Sequence, residues 1–404
     1  MTATVRQAAG SLLVVGLGGT ELTGLERAWL RLVRPGGVIL FKRNITDVQQ
    51  TRDLLEEATG FCGTKAVRCV DVEGGTVNRL RDALAPIASA QAVGAAMRTP
   101  TLSQEARKDG APRASALTQK AGELKSVALA RKHGELIARA VKAFGFNTTL
   151  APVVDLALPE AAEVMGSRTA GANAAEVMGY AREFLVAIAA QGVAGCGKHF
   201  PGLGGGTGDT HFVTPAIQRT WTQLWEEDAV PYRELHRAMP MIMMNHAAYP
   251  QTPGKNDPAS ASRFWIAETL RKRIGYKGII LSDDLEMGGI LKFLPVEDAA
   301  VAAIRAGSDL LEICHSPELI LRTYEALVSE GERSAAFRKL LLGTARDSAR
   351  KRAQLYARGV APALSAQKLE ALRKSILEFN ESVAAIVDAS AVAAPRASSP
   401  AEAS

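Results

Sequence analysis

Eight short apolar runs, separated by longer stretches of helical periodicity, constrain this chain more than any other feature. The runs cover residues 11–17, 37–41, 66–70, 148–154, 193–196, 241–244, 278–281 and 309–313. Between them, segments such as 21–32, 121–144 and 258–274 place apolar residues three and four positions apart, the spacing of a helix with one buried face. A strand without polar alternation has no solvent side, and parallel strands joined by helical crossovers are covered on both faces. Eight such units predict an α/β fold of the (β/α)8 TIM-barrel type.

The ends of the runs carry more than their number. Asp71-Val72-Glu73 follows the third, Asp155 the fourth, Lys198-His199 the fifth, Asn245-His246 the sixth, Ser282-Asp283-Asp284 the seventh and His315 the eighth, while the starts show no such enrichment. In a barrel of this kind the C-terminal strand ends converge, so these polar groups are expected in one pocket. The densest stretch is 198–211, where Lys198-His199 leads through a glycine-rich segment to Asp209-Thr210-His211 and two of the chain's six histidines fall.

At 404 residues the chain has room for a barrel of about 250 residues and a C-terminal addition. The expected division is a catalytic barrel over 1–316, a helical appendage without strand candidates over 317–387, and a disordered tail rich in Ala, Ser and Pro over 388–404. Residues 97–120 read as a polar surface insertion. The formal charge is +6, and the basic residues are interspersed with acidic ones, so the clustered stripe of a nucleic-acid partner is missing. No run reaches the roughly 20 apolar residues of a membrane helix, and 11–17 is too short for a signal-peptide core. Four scattered cysteines read as reduced, buried thiols, and the expected location is the cytoplasm.

A carboxylate two residues from an imidazole, as in Asp209-Thr210-His211, fixes the tautomer and raises the pKa of a group whose ordinary value of about 6.5 suits proton transfer. An exposed loop pair without a role is the alternative. Strand alternation lets only one of Asp283 and Asp284 face the pocket. Asp283 is assigned there as a carboxylate nucleophile, and Asp284 as the cap of the following helix. His199, His211, His246 and Asp71 could supply metal ligands, but no His-x-x-x-His or Cys-x-x-Cys spacing occurs and Lys198 would repel a cation, so neither metal nor cofactor is expected. Glycines between 202 and 208 lack a P-loop ending and read as a hinge.

Five motifs carry a resemblance. Asp71-Val72-Glu73-Gly74-Gly75, Gly166-Ser167-Arg168, Lys198-His199-Phe200-Pro201-Gly202, Asp209-Thr210-His211 and Ser282-Asp283-Asp284-Leu285-Glu286-Met287 resemble, in order, those of the bacterial β-N-acetylhexosaminidases of glycoside hydrolase family 3. The resemblance implies a retaining exo-β-N-acetylglucosaminidase that releases N-acetylglucosamine from muropeptide fragments of the cell wall. Asp283 would form a covalent glycosyl-enzyme, with His211, paired to Asp209, as acid/base. It further implies a carbohydrate substrate held by Asp71, Arg79, Arg168, Lys198, His199 and His246, with Glu73 as an ion-pair partner of these cations. A β-glucosidase or glycoside phosphorylase of the same family is one alternative, and a non-catalytic sugar-binding protein is another. Leu203, Thr76 and Ala170 depart from the histidine, arginine and bulkier residue common in the family, and nothing sets the oligomeric state.

Overall fold

The computed structural model describes residues 4–63, 65–99, 116–206 and 215–393. Eight parallel strands close into a barrel: β1 (Leu13–Gly16), β2 (Gly37–Leu40), β3 (Val67–Val70), β4 (Thr148–Thr149), β5 (Ala194–Phe200), β6 (Met241–Met244), β7 (Ile279–Asp284) and β8 (Leu310–Ile313). Each pairs with its neighbour in sequence, and β1 closes on β8 with Val14 opposite Glu312. Every expected apolar run contributes one strand. Aliphatic and sulfur-bearing side chains pack inside the barrel: Val14, Cys69, Cys196, Met241, Met243 and Leu281 belong to one buried cluster. All four cysteines are buried and unpaired by disulfides. None of the described helices is long and apolar enough to cross a membrane.

Two strands depart from the expected bounds for local reasons. The run 148–154 forms a regular ladder only at Thr148–Thr149, since Pro152 has no N–H to donate. Beyond it the contact with β5 continues as single backbone bonds, Cys196 N to Ala151 O at 2.8 Å and Val154 N to Lys198 O at 2.8 Å. Strand β5 in turn runs on to Phe200, so Lys198 and His199 stand on a strand and not on the loop that follows.

The C-terminal part is more than an appendage. The helix Pro317–Arg333 follows β8 and packs against Val296–Ala306 and Val5–Ser11, completing the outer ring, so the barrel extends past residue 316. The next helix, Ala335–Leu355, carries Arg352 to the N-terminal mouth of the barrel. There its guanidinium donates to Gly36 O at 2.7 Å and Ser11 O at 3.3 Å. Tyr356 closes the mouth, with its hydroxyl 2.7 Å from Thr148 Oγ1. The last helix, Ala366–Ala393, continues past the expected boundary at 387, because its alanine-rich end is made of the strongest helix former. The rest of the expected tail, 394–404, and residues 100–115 of the expected insertion lie outside the described residues. Asn380 on that helix accepts from Ala88 N and donates to Pro86 O, both at 2.9 Å. It thereby braces the loop behind a small antiparallel ribbon, Val72–Gly74 with Val77–Asn78, at the C-terminal mouth.

Candidate active site

At that mouth the strand ends surround a cleft of about 190 Å³, lined by Asp71, Arg79, Arg168, Lys198, His199 and Asp283 among others. Strand order decides who meets whom. Asp71 follows β3 and Lys198 lies on β5, and the short β4 between them lets their side chains meet: Lys198 Nζ is 2.7 Å from Asp71 Oδ1 and 2.8 Å from Glu73 Oε1. Arg168 donates to both oxygens of Glu73, at 2.9 and 2.8 Å, and its Nη2 lies 3.2 Å from His199 Nε2. Glu73 is therefore the ion-pair partner expected for it. Burial alone would raise the Glu73 carboxyl, but Arg168 and Lys198 hold it well below the usual carboxylate range. Burial opposes the charge on Asp71 too, and Lys198 and Arg79 outweigh it. Burial alone would lower the pKa of Lys198, but Asp71 and Glu73 hold it above its ordinary value.

Asp155, noted in the sequence only as a strand-end residue, has a larger part. Its Oδ2 accepts from His199 N at 3.0 Å and lies 2.7 Å from His199 Nδ1, and its Oδ1 accepts from Leu203 N at 2.7 Å. A guanidinium can only donate, so Arg168 makes Nε2 of His199 an acceptor and places the proton on Nδ1. One carboxylate thus orients a cleft histidine and the start of the glycine-rich segment. That segment is anchored from Gly202 to Gly206. A side chain at Gly202, whose φ is +135°, would strike Asp228, and one at Gly205 would strike Arg219. These glycines serve close packing, and the hinge reading does not hold for them. Residues 207–214, with Asp209 and His211, lie outside the described residues.

Strand β7 corrects the alternation argument. Leu281 pairs with Leu310 but Asp284 pairs with Glu312, so three residues on β7 oppose two on β8. The extra residue is a bulge, and it brings both Asp283 and Asp284 to the cleft. Asp283 accepts at Oδ1 from Asp284 N, 2.9 Å away. Asp284 does not cap the next helix, whose N-cap is Met287; its Oδ1 takes N–H groups from Glu286 and Cys314 at 3.1 and 3.2 Å. Burial, then Glu286 and Asp283, push its carboxyl up to about 7.

Arg79 reaches the lining, 3.7 Å from Asp71 Oδ2 and over the ring of Phe41. His246 is wholly buried, with Nδ1 2.7 Å from Ser260 Oγ and Nε2 2.9 Å from Asp284 O, tying the end of β6 to the end of β7. Of the departures, Leu203 is buried in the lining, Thr76 is exposed at the turn of the ribbon, and Ala170 is buried. His133 is a packing residue, its Nδ1 2.9 Å from Tyr180 OH. Glu312 on β8 also lines the cleft; its signal in the sequence was a charge inside the run 309–313, which otherwise is apolar after Asp309.

Among the described residues, Asp284, Glu286 and His315 bring ligand atoms within 4.8 Å of one another and could hold a metal ion. Arg43 Nη1 lies 3.0 Å from His315 Nδ1, which sets a fixed cation beside that group. Two of the ligand candidates taken from the sequence are otherwise engaged, His199 by Asp155 and Asp71 by Lys198.

The sequence model of the glycosyl hydrolase family 3 N-terminal domain matches residues 4–339. The chain belongs to glycosyl hydrolase family 3. This family 3 chain is 33% identical to a β-hexosaminidase of Stenotrophomonas maltophilia over 82% of its own length and 91% of the relative's. It superposes on a family 3 β-N-acetylglucosaminidase from a Paenibacillus species with a TM-score of 0.78 at 26% identity, covering 94% of this chain and 69% of that one. A third likeness is to NagZ of Neisseria gonorrhoeae, solved in complex with N-trifluoroacetyl-D-glucosamine, with a TM-score of 0.64 at 28% identity over 83% and 98% of the two chains. The chain is thus a glycoside hydrolase with the barrel of its family.

Proposed function

We propose that this glycoside hydrolase is a retaining exo-β-N-acetylglucosaminidase, that it removes N-acetylglucosamine from muropeptide fragments, and that it does so in the cytoplasm. The observation that carries the reading is Asp283, at the end of β7, in one narrow cleft with a fixed set of sugar-binding donors and acceptors: Asp71, Arg79, Arg168, Lys198 and His199. The activity and ligand in the names of the relatives support the choice of glycon.

In this mechanism a carboxylate oxygen of Asp283 bonds to the anomeric carbon as the bond to the aglycone oxygen breaks, and His211 gives its proton to that oxygen. Neutral His211, oriented by Asp209, then takes a proton from a water molecule, whose oxygen displaces Asp283 from the anomeric carbon and regenerates the enzyme. Ion pairs already formed in the lining position the ring at no further cost in ordering. The test is the purified protein on aryl β-glycosides, with N-acetylglucosaminide cleaved in preference to glucoside. A 2-fluoro glycosyl fluoride should add one sugar mass to the peptide carrying Asp283. Cleavage of the glucoside alone, or a label on another peptide, would overturn the assignment.

A further inference from the structure

One charged side chain in the barrel interior has no part in the lattice described above. Glu312 sits on β8, is 2% exposed, and belongs to a strand whose other residues are apolar. Its Oε1 lies 3.9 Å from Cys69 Sγ on β3. Strands β1 and β2 stand between β8 and β3 in the barrel order, so the side chain crosses the interior and its carboxyl lies near the barrel axis. The barrel-interior cluster is apolar, with Val14, Ile39, Leu150 and Met243 among its members, and Asp71, Lys198 and Asp283 share the cleft that Glu312 lines.

Burying a carboxyl among such neighbours is costly unless it is hydrogen-bonded. A thiol is a weak donor, and among the described residues it is the carboxyl's one hydrogen-bond partner. A leucine or valine at this position would extend the apolar interior at no such cost, so packing gives no reason for the acid. No hydrogen bond to the second oxygen, Oε2, is made by the described residues, and Glu312 lines the same cleft as Asp71, Lys198 and Asp283. Burial, then the charges of Asp71, Asp283 and Asp284, push the Glu312 carboxyl well above the usual range. In the neutral form it offers one O–H donor and an acceptor without adding an anion beside Asp283.

We propose that Glu312 is a specificity-determining residue: its carboxyl forms the floor of the sugar subsite and hydrogen-bonds one hydroxyl of the glycon that points down the barrel axis. This rests on the glycosidase reading above and adds to it a contact with the substrate. It also gives that subsite a polar floor where an apolar one would select only for shape.

The test pairs variants of Glu312 with altered sugars. Wild type, Glu312→Gln and Glu312→Leu are assayed on an aryl β-N-acetylglucosaminide and on its 3-, 4- and 6-deoxy analogues, with thermal unfolding as a check on the fold. Glu312→Gln keeps shape and donor and should stay within about threefold of wild type. Glu312→Leu should lose about tenfold in kcat/KM on the parent sugar, the scale of one hydrogen bond. It should lose nothing on the single deoxy analogue that lacks the contacted hydroxyl. An equal loss on all four sugars, no loss on the parent, or a glutamine variant as poor as leucine would overturn the inference. A wild-type protein inactive on every one of these glycosides would instead remove the glycosidase reading, and this inference with it.

Discussion

Oδ1 of Asp71 lies 2.7 Å from Nζ of Lys198, and through that contact β3 is joined to β5 across the shortest strand of the barrel. Glu73 holds the same ammonium at 2.8 Å, so one cation separates two buried carboxylates.

Removing it should be costly. Lys198→Met takes one counter-charge from each of Asp71 and Glu73 and leaves them only Arg79 and Arg168, and breaking a buried pair in this way costs about 3 kcal/mol. Urea unfolding at pH 7 should show that loss, together with a large rise in KM. Both carboxyls have folded-state pKa values lowered below their ordinary ones, so the stability they contribute is present above the unfolded pKa and fades as pH falls through the folded one. The deficit of the variant should therefore shrink as the pH is lowered below the ordinary carboxylate range.

Asp155 accepts three hydrogen bonds, two of them from His199. In Asp155→Asn an amide oxygen in place of Oδ1 can still take Leu203 N–H, but an NH2 in place of Oδ2 faces both the His199 N–H and the Nδ1 proton, which reverses the histidine's tautomer and turns a donor toward Arg168. The expected result is a fall in kcat/KM of about tenfold or more beside a stability loss of about 1–3 kcal/mol for the unpaired backbone N–H, read by steady-state kinetics and an unfolding curve.

Asp228 gives a prediction in pH. It is buried beneath Gly202, with Arg219 Nε 2.7 Å from Oδ2 but off the N–H axis. Its charged and titratable surroundings are Arg219, Asp155, Tyr232 and Tyr249, with Glu227 on the far side of Arg219. Burial raises the carboxyl to about 7, against the pull of Arg219. A raised folded pKa means the native state holds the proton that the unfolded chain releases, so stability falls as pH climbs from the ordinary carboxylate pKa toward 7. Asp228→Asn escapes that loss. Its Tm relative to wild type should rise between pH 5 and pH 8, and a difference independent of pH would contradict the assignment.

Arg352 is far from the cleft and should separate stability from activity. Arg352→Met takes the donor from the carbonyl of Ser11 and leaves that of Gly36 with Val67 N, at the other end of the barrel, a loss of about 2 kcal/mol, while kcat of the folded protein stays unchanged. Denaturant midpoints and kcat measured on one preparation would check both halves.

The barrel was legible because periodicity is a local property: runs such as 241–244 and 309–313 announce buried parallel strands without any knowledge of their neighbours. Convergence of Asp71, Lys198 and Asp283 followed from the rule that strand ends meet, while Arg168 came from the family resemblance alone. What the sequence left hidden depends on register and reach. The bulge that admits Asp284 is a mismatch between two strands, visible in neither alone. His246 follows a strand end, yet its ring is engaged by Ser260 and by the backbone of Asp284, contacts that no sequence spacing announces. Asp155 was visible as a strand-end acid, but its three donors arrive from residues 44 and 48 positions away, and no spacing rule connects them.

The seal at the N-terminal mouth bears on how the chain reaches its fold. Arg352 binds the carbonyl of a residue 316 positions earlier, and Tyr356 reaches back 208 positions to Thr148. Chain closure over such separations is entropically expensive and slow relative to local helix formation. During synthesis on a ribosome all eight strands emerge before either plug residue does, so a nascent barrel would wait with its lower opening unsealed. Stalling translation between residues 335 and 352 and probing the thiols of Cys69 and Cys196 would catch that interval.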